Sequence, residues 1–193
     1  MKVNIHTHFP KDSELTITSA GVHPYDAASI SPETLLSISD QSQSVDAIGE
    51  IGLDYYCNTD RELQIAALHD QLKIAQRQNK GVVLHCVKAF EPIMKIIEQY
   101  KLRFVIFHGF IGSAEQALRA TAKGYYLSFG HRTFQSPKSI EAMRAIATNR
   151  LFLETDNSEI SIDEIYSKAA DILGINEAKL EEIINENYRH ICG

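Results

Sequence analysis

The stretch Ser44-Val-Asp-Ala-Ile-Gly-Glu-Ile-Gly-Leu-Asp-Tyr-Tyr56 sets one acidic residue, Glu50, between two glycines at the end of an apolar run. A short apolar run bounded by glycine is typical of a buried strand. An isolated charged carboxylate inside a protein costs too much free energy to persist, so Glu50 needs an ion-pair partner or a bound cation. The stretch therefore predicts a buried strand that ends in an ion-binding side chain, and such a carboxylate is able to bridge two ions.

Six further apolar runs follow the same pattern. With the first run they predict seven strands, near residues 2–7, 15–22, 45–49, 81–86, 103–108, 124–129 and 150–155. Helical patterns separate most of them. These patterns begin at cap signals, which are Ser31-Pro32, Thr59-x-x-Glu62, Ser113-x-x-Gln116, Ser136-Pro137 and Ser161-x-x-Glu164. Alternating helices and near-continuous apolar strands predict a parallel sheet covered by helices, either a barrel or an open doubly wound sheet.

Five of the predicted strands end in side chains that bind metals in proteins. These side chains are His6 and His8, Glu50, His85, His108 and Asp156. In a (β/α) barrel such residues converge from many strands at one mouth, whereas an open sheet gathers its site at a single switch point. The pattern therefore favours the barrel. A full barrel of about 250 residues uses roughly 31 per unit, so this chain has room for about six units and should form an abbreviated TIM-like α/β barrel.

Length and composition limit the classes of protein to consider. A chain of 193 residues with 44% hydrophobic content fits one domain over residues 1–193. The start MKVNIHTHFP lacks the features of a signal peptide, and no apolar run is long enough for a membrane span, so we expect no membrane partner. Three cysteines without CxxC spacing favour a reducing cytoplasm. The formal charge of −6 is unlike that of a tight nucleic-acid binder, but bound cations attract phosphate regardless of overall charge.

The strand-end residues together suit two divalent metal ions. His6 and His8 are two apart on a strand, which points both rings to the same side. The set of four imidazoles and two carboxylates is compatible with Zn, Mn or Mg, and the imidazoles favour Zn or Mn. We expect Glu50 to bridge the ions and Asp156 to act as general base toward an activated water. Glu154, two residues before Asp156, is expected to orient an imidazole.

Each of these residues also has a plainer structural explanation when it is taken alone. An isolated HxH pair is only suggestive of metal, and a single histidine at a strand end is more often a satisfied core residue. An aspartate such as Asp156 commonly caps a turn. The joint occurrence of all these residues at equivalent strand ends is what favours a metal site.

The order of several sequence blocks resembles the TatD-like metal-dependent hydrolases of the amidohydrolase superfamily. The matching blocks are Asn4-Ile-His-Thr-His8, Ala20-Gly-Val-His-Pro24, Ala47-Ile-Gly-Glu-Ile-Gly-Leu-Asp-Tyr-Tyr56, Leu84-His85, Phe107-His-Gly-Phe-Ile-Gly-Ser113 and Leu153-Glu-Thr-Asp156. They span nearly the whole chain, and the block GEIGLDYY is the most specific. The resemblance implies hydrolysis, usually of phosphodiester bonds in DNA, and a substrate-facing position for His23. It also implies the metal ligands His6, His8, Glu50, His85, His108 and Asp156.

The chain departs from the family pattern in three places. Only 14 residues, Phe9 to Val22, separate His8 of the first block from His23 of the second, so one βα unit after strand 1 is expected to be missing. Lys88 follows the His85 block where the family often has arginine, which makes Lys88 a candidate phosphate partner. Asn157-Ser158 replace the usual proline after the last block. Arg132 is a second candidate for phosphate contact or an exposed loop residue, and Asp54 is expected to orient a loop or a ligand.

These features favour a two-metal hydrolase that acts on phosphoester bonds in a nucleic acid or a small nucleotide-like substrate. One alternative keeps the metals and hydrolyses an ester or amide, such as an aminoacyl-tRNA bond. Another is a non-catalytic metal-binding or interaction protein, which the intact ligand set argues against. A PHP-type phosphoesterase also begins with HxH, but the GEIGLDYY and ETD blocks argue against it. The gap beside strand 1 makes a dimer possible.

Overall fold

The computed structural model describes residues 1–193, which form two compact units. The terminal unit comprises Met1–Thr16 and His108–Gly193, and the central unit comprises Ile17–Phe107. In chain order the strands are β1 Lys2–Val3, β2 Glu14–Leu15, β3 Ser19–Ala20, β4 Ala47–Asp54, β5 Gly81–Val87, β6 Val105–Phe107, β7 Tyr126–Phe129 and β8 Leu151–Leu153. The helices are α1 Pro32–Gln41, α2 Arg61–Arg77, α3 Phe90–Ile97, α4 Ala114–Ala122, α5 Pro137–Ala145, α6 Ile162–Leu173 and α7 Glu177–Cys192.

The central unit is built on four parallel strands in the order β3-β4-β5-β6. Its longest strand, β4, is buried along its whole length except at Glu50, which is half-buried. Strands of this kind are apolar on both faces because helices cover the sheet, and Ile48, Ile51 and Leu53 are fully buried. Glu50 is therefore the one charged side chain of β4 before its last residue, Asp54.

In the terminal unit the start of the chain lies beside the end of β8. Strands β1 and β2 form one parallel pair, and β7 and β8 form another. The amide of Ile5 donates to the carbonyl of Leu153 at 3.0 Å, and Thr7 forms a parallel bridge with Asp156. Tyr166 of α6 donates its buried hydroxyl to the Val3 carbonyl at 3.0 Å. These bonds fix the segment that follows β1 against the segment that follows β8.

The prediction of an α/β fold with parallel strands is confirmed, with three main differences in the strands. The expected strand at 2–7 is a regular strand only over Lys2–Val3. The expected strand at 15–22 is two short strands, because β2 pairs with β1 whereas β3 pairs with β4. The expected strand at 45–49 continues to Asp54, because β4 keeps its pairing with β5 beyond Glu50. No helix lies between β1 and β3, as expected for a chain that lacks a βα unit there. One domain over residues 1–193 stays a prediction.

Most helices begin where their cap signals predicted. The side chains of Ser31, Ser113, Ser136 and Ser161 accept hydrogen bonds from the first turns of α1, α4, α5 and α6. The exception is α2, which is capped by Asp60 instead of Thr59. The Thr59 hydroxyl instead donates to the carbonyl of Tyr25 at 2.8 Å. None of the helices combines the length and apolar character that crossing a bilayer requires.

Candidate metal sites

Three of the predicted ligands meet in the terminal unit. The donor atoms of His6, His8 and Asp156 all lie within 4.8 Å of one another. Oδ1 of Asp156 is 3.3 Å from Nε2 of His8 and 3.8 Å from Nε2 of His6. The backbone sets this geometry, because Asp156 donates its amide to the His6 carbonyl at 3.1 Å and accepts from the His8 amide at 3.0 Å. Two imidazoles and a carboxylate at this spacing form a donor set that suits a divalent transition metal.

His108 and Glu154 extend this group. The donor atoms of His108, Glu154 and Asp156 also lie within 4.8 Å of one another, and the rings of His6 and His108 are 4.6 Å apart. Nδ1 of His108 is 3.4 Å from Oε1 of Glu154, whose side chain is buried. Burial by itself raises the pKa of the Glu154 carboxyl, but His108 and His6 outweigh it and hold that pKa below its ordinary value. Glu154 is thus a charged group surrounded by imidazoles.

The Glu154 carboxylate gives a direct test of whether these residues fit a metal. Its Oε2 atom is buried and has no hydrogen-bond partner. A buried carboxylate oxygen without a partner is costly unless a cation compensates it. The terminal unit therefore carries both the donor set of a metal site and a buried negative charge that a cation would satisfy.

A buried polar network, which the sequence patterns do not predict, holds the backbone at Thr155, next to Asp156. Oδ1 of Asn4 accepts from the amide of Thr155 at 2.9 Å. Nδ2 of Asn4 donates to the Thr155 hydroxyl at 2.9 Å and to Oε2 of Glu14 at 2.7 Å. The Thr155 hydroxyl lies 3.0 Å from that of Thr7. The available signal was a polar residue, Asn4, on an otherwise apolar strand two positions before His6.

The central unit contains a second donor cluster around Glu50. The register of β4 against β5 shifts between Ile48 and Ile51, so Gly49 and Glu50 occupy a bulge in the ladder. Bulges re-aim side chains, and this one turns the Glu50 carboxylate to within 3.7 Å of Nδ1 of His85. The donor atoms of Glu50, His85 and His23 lie within 4.8 Å of one another. The structure thus adds His23, predicted only to face the substrate, to the possible metal donors.

Asp54 is placed to orient His85. Its Oδ2 lies 3.0 Å from Nε2 of His85, and its Oδ1 accepts from the amides of Tyr56 at 2.8 Å and Cys57 at 3.1 Å. Burial by itself raises the pKa of Asp54, but the His85 contact and the two amides bring it below the ordinary value. A charged Asp54 accepts from Nε2 of His85 and leaves Nδ1 as the atom that faces Glu50. This carboxylate–histidine arrangement is the one that orients metal-binding imidazoles in proteins.

We expect Asp54→Asn to weaken divalent metal binding about 10- to 100-fold, because the amide no longer fixes the tautomer and orientation of His85. Isothermal titration of chelator-treated protein with Zn²⁺ measures the effect. Asp70→Asn is the matched control, because Asp70 is on α2 and pairs with Lys73 at 2.8 Å. Equal Zn²⁺ affinity of the Asp54→Asn variant and the wild type would show that Asp54 does not orient a metal ligand.

The predicted substrate contacts occupy different settings. Lys88 follows β5 with a φ of 51°, and its ammonium lies 4.9 Å from the centre of the Tyr56 ring. Arg132 is exposed in the 3-10 helix His131–Gln135 of the terminal unit. Nδ1 of His23 accepts from the Tyr25 amide at 3.2 Å, and the His23 ring centre is 4.4 Å from that of His85. Roles in substrate binding for these three residues stay predictions.

Family comparison agrees with the donor sets. The sequence model described as TatD related DNase matches residues 5–193, which is almost the whole chain. The chain belongs to the TatD family. The resemblance in the sequence blocks is thereby confirmed, and the family includes metal-dependent hydrolases similar to this chain.

Two relatives are each about one third identical to this chain over the regions that match. The "Uncharacterized metal-dependent hydrolase YabD" of Bacillus subtilis is 33% identical over 153 residues, which cover 76% of this chain and 60% of that relative. The "3'-5' ssDNA/RNA exonuclease TatD" of Escherichia coli is 32% identical over 148 residues, which cover 72% of this chain and 56% of that protein. The matched region thus spans less than two thirds of these relatives' own length.

Solved TatD structures share the fold. YJJV, a TatD homolog from Escherichia coli, superposes with a TM-score of 0.84 at 22% identity, covering 92% of this chain and 76% of that one. A TatD family hydrolase from Entamoeba histolytica gives a TM-score of 0.80 at 20% identity, covering 93% of this chain and 75% of that one. At these identities the likeness concerns the fold alone, and it supports the expected TIM-like α/β class.

Proposed function

We propose that this TatD family member is a metal-dependent hydrolase of phosphodiester bonds in nucleic acids. The observation that carries the proposal is that each unit has its own cluster of imidazoles and carboxylates within 4.8 Å. The exonuclease activity in the name of the Escherichia coli relative supports nucleic acid as the substrate class. The proposal includes two divalent ions, with Zn or Mn favoured by the number of imidazoles. The ligands we assign are His6, His8, Glu50, His85, His108 and Asp156.

Divalent ions in such sites lower the pKa of a water and stabilise negative charge on phosphoryl oxygens. The protein's own part is to hold and move protons and to fix the ligands. We assign the general-base role to Asp156, whose carboxylate is a quarter exposed and so accessible to a water. Glu154 and Asp54 then act as positioning residues, since each contacts one imidazole, His108 or His85. Lys88 and Arg132 are the cations that we propose for contact with substrate phosphates.

The first test is metal removal and reconstitution. We expect chelator-treated protein to lose phosphodiesterase activity and to regain it with Mn²⁺ or Zn²⁺ at close to two equivalents per chain, measured by elemental analysis. A metal that binds only the folded protein should also raise the melting temperature. A ligand at 100 times its dissociation constant adds about 2.7 kcal/mol to the free energy of unfolding. Binding of less than one equivalent with no return of activity would contradict the proposal.

A substrate panel separates the alternative enzyme functions. The same metal-loaded protein is assayed on a 3'-labelled single-stranded oligonucleotide and on a carboxylic ester, with an aminoacyl-tRNA as a third substrate. We expect hydrolysis of the oligonucleotide to be at least about 100-fold faster in kcat/KM than that of the ester, a difference of about 2.7 kcal/mol in transition-state binding. The reverse order would favour ester or amide hydrolysis by the same donor sets.

We further propose a cytoplasmic location. All three cysteines, Cys57, Cys86 and Cys192, are free thiols, which is the usual state in a reducing compartment.

A further inference from the structure

Two exposed tyrosines of the central unit lie in segments that are connected to His85. Tyr25 is 55% exposed and Tyr56 is 74% exposed, whereas the apolar residues of the neighbouring strand β4 are buried. Tyrosine combines a large flat ring with a polar hydroxyl, which is why it is common at binding surfaces. The Tyr25 ring is connected to His85 through His23, and the Tyr56 backbone is connected to it through Asp54.

Tyr25 is connected to His85 through His23. The His23 ring packs edge-on against Tyr25 at 4.4 Å and against His85 at 4.4 Å, and the Tyr25 ring centre is 6.1 Å from that of His85. The Thr59 hydroxyl also donates to the Tyr25 carbonyl at 2.8 Å, which ties this segment to the loop that follows β4. The His23 ring therefore lies between the Tyr25 ring and the predicted metal ligand His85.

Tyr56 is connected to His85 through Asp54. One Asp54 oxygen accepts from the Tyr56 amide at 2.8 Å, and the other lies 3.0 Å from Nε2 of His85. The same carboxylate thus orients the imidazole and holds the backbone of Tyr56. The Lys88 ammonium lies 4.9 Å from the centre of the Tyr56 ring, within the range of a cation–π contact. A positive charge accordingly stands beside the exposed aromatic ring.

Exposed aromatic rings next to a cation are what proteins use to hold single-stranded nucleic acid. Every base offers a flat face that stacks on an aromatic ring, and a lysine neutralises the phosphate beside it. A base pair inside a duplex has both faces already stacked, so such rings favour unpaired bases. An apolar protein partner fits less well, because Lys88 beside Tyr56 and Arg61 over Tyr55 at 4.4 Å place charge around the rings.

We propose that Tyr25 and Tyr56 form a stacking platform for unpaired bases, with Lys88 as the contact for the adjoining phosphate. The ligand class is single-stranded DNA or RNA with bases at the end that enters the site. This inference rests on the proposed function, because it supplies the substrate selectivity of the same site. It makes Tyr56 the main determinant of selectivity, since its ring is the more exposed of the two.

The test compares an oligothymidylate with a strand of equal length whose two 3'-terminal nucleotides are abasic. For the wild type we expect a KM about 10- to 100-fold lower on the base-bearing strand, the factor that one or two stacked bases provide. In Tyr56→Ala this ratio should fall toward one, and in Tyr56→Phe it should return, because phenylalanine retains the ring. Leu36→Ala is the control: Leu36 is 66% exposed on α1, and its variant should keep the wild-type ratio.

The outcomes distinguish this platform from the proposed function. A wild-type ratio in Tyr56→Ala and in the double variant with Tyr25→Ala would overturn the platform while leaving phosphodiester hydrolysis intact. If no metal-loaded preparation cleaves either strand, the proposed function fails, and the platform is then decided by fluorescence anisotropy with labelled oligothymidylate. In that assay, weaker binding by Tyr56→Ala than by Tyr56→Phe supports the platform, and equal binding overturns it.

Discussion

Asp156→Asn should lower kcat for phosphodiester hydrolysis by at least about 100-fold, the range that general-base catalysis contributes. Asparagine keeps the shape of the side chain but has neither the charge nor the basic oxygen of the carboxylate that lies 3.3 Å from His8 and 3.8 Å from His6. The backbone bonds of residue 156 to His6 and His8 do not involve the side chain, so the fold should survive. Single-turnover kinetics with saturating Mn²⁺ measure the change, and thermal melting verifies folding.

The matched control for this variant is Asp163→Asn in the same unit. Asp163 is 76% exposed and contacts Lys2 at 2.6 Å, and an exposed ion pair contributes at most about 1 kcal/mol to stability. Its asparagine variant should keep the wild-type kcat. Wild-type activity in Asp156→Asn would exclude Asp156 as the base, and a normal kcat with weakened metal binding would assign it to metal binding alone.

The strands show which part of the fold was accessible from sequence. Apolar runs located every strand from β4 to β8, because strands covered on both faces contain few polar residues. The predicted end of β4 was wrong, because a glutamate between two glycines resembles the end of a strand. In the structure it is a bulge, after which Gly52 and Asp54 pair with His85 and Val87 of β5. Whether a strand continues past such a break depends on its neighbour's hydrogen bonds, which the local sequence does not contain.

The candidate sites show the same division between local and distant information. Two-residue spacing was enough to predict that His6 and His8 share one side, because strand geometry is local. Their approach to Asp156 depends on the bridge between Thr7 and Asp156, which joins residues almost 150 positions apart. The role of Asn4 was missed for that reason, since two of its hydrogen bonds go to Thr155. Likewise, His23 is identified as a possible donor only because its ring nitrogen lies within 4.8 Å of the donor atoms of Glu50 and His85.

Gly52→Ala should reduce the free energy of unfolding by at least about 3 kcal/mol, or prevent folding altogether. Gly52 has a φ of 148°, a value that side chains disfavour, and a Cβ there would lie 2.0 Å from the His85 carbonyl oxygen. That oxygen belongs to the backbone of β5, so relief requires separating the two strands at the residue pair Gly52 and His85. Urea unfolding followed by circular dichroism measures the loss, and metal titration of any folded fraction shows whether His85 still binds.

Gly124→Ala isolates the steric contribution to this effect. Gly124 also has a positive φ, 85°, but a Cβ there meets no atom within 4 Å. Its variant should therefore lose only about 1 to 2 kcal/mol, the cost of an alanine in a left-handed conformation. A Gly52→Ala variant no less stable than Gly124→Ala would mean that β4 and β5 separate at little cost beside Glu50. In that case the bulge would be a flexible part of the ladder. The structure would then not hold Glu50 rigidly against His85.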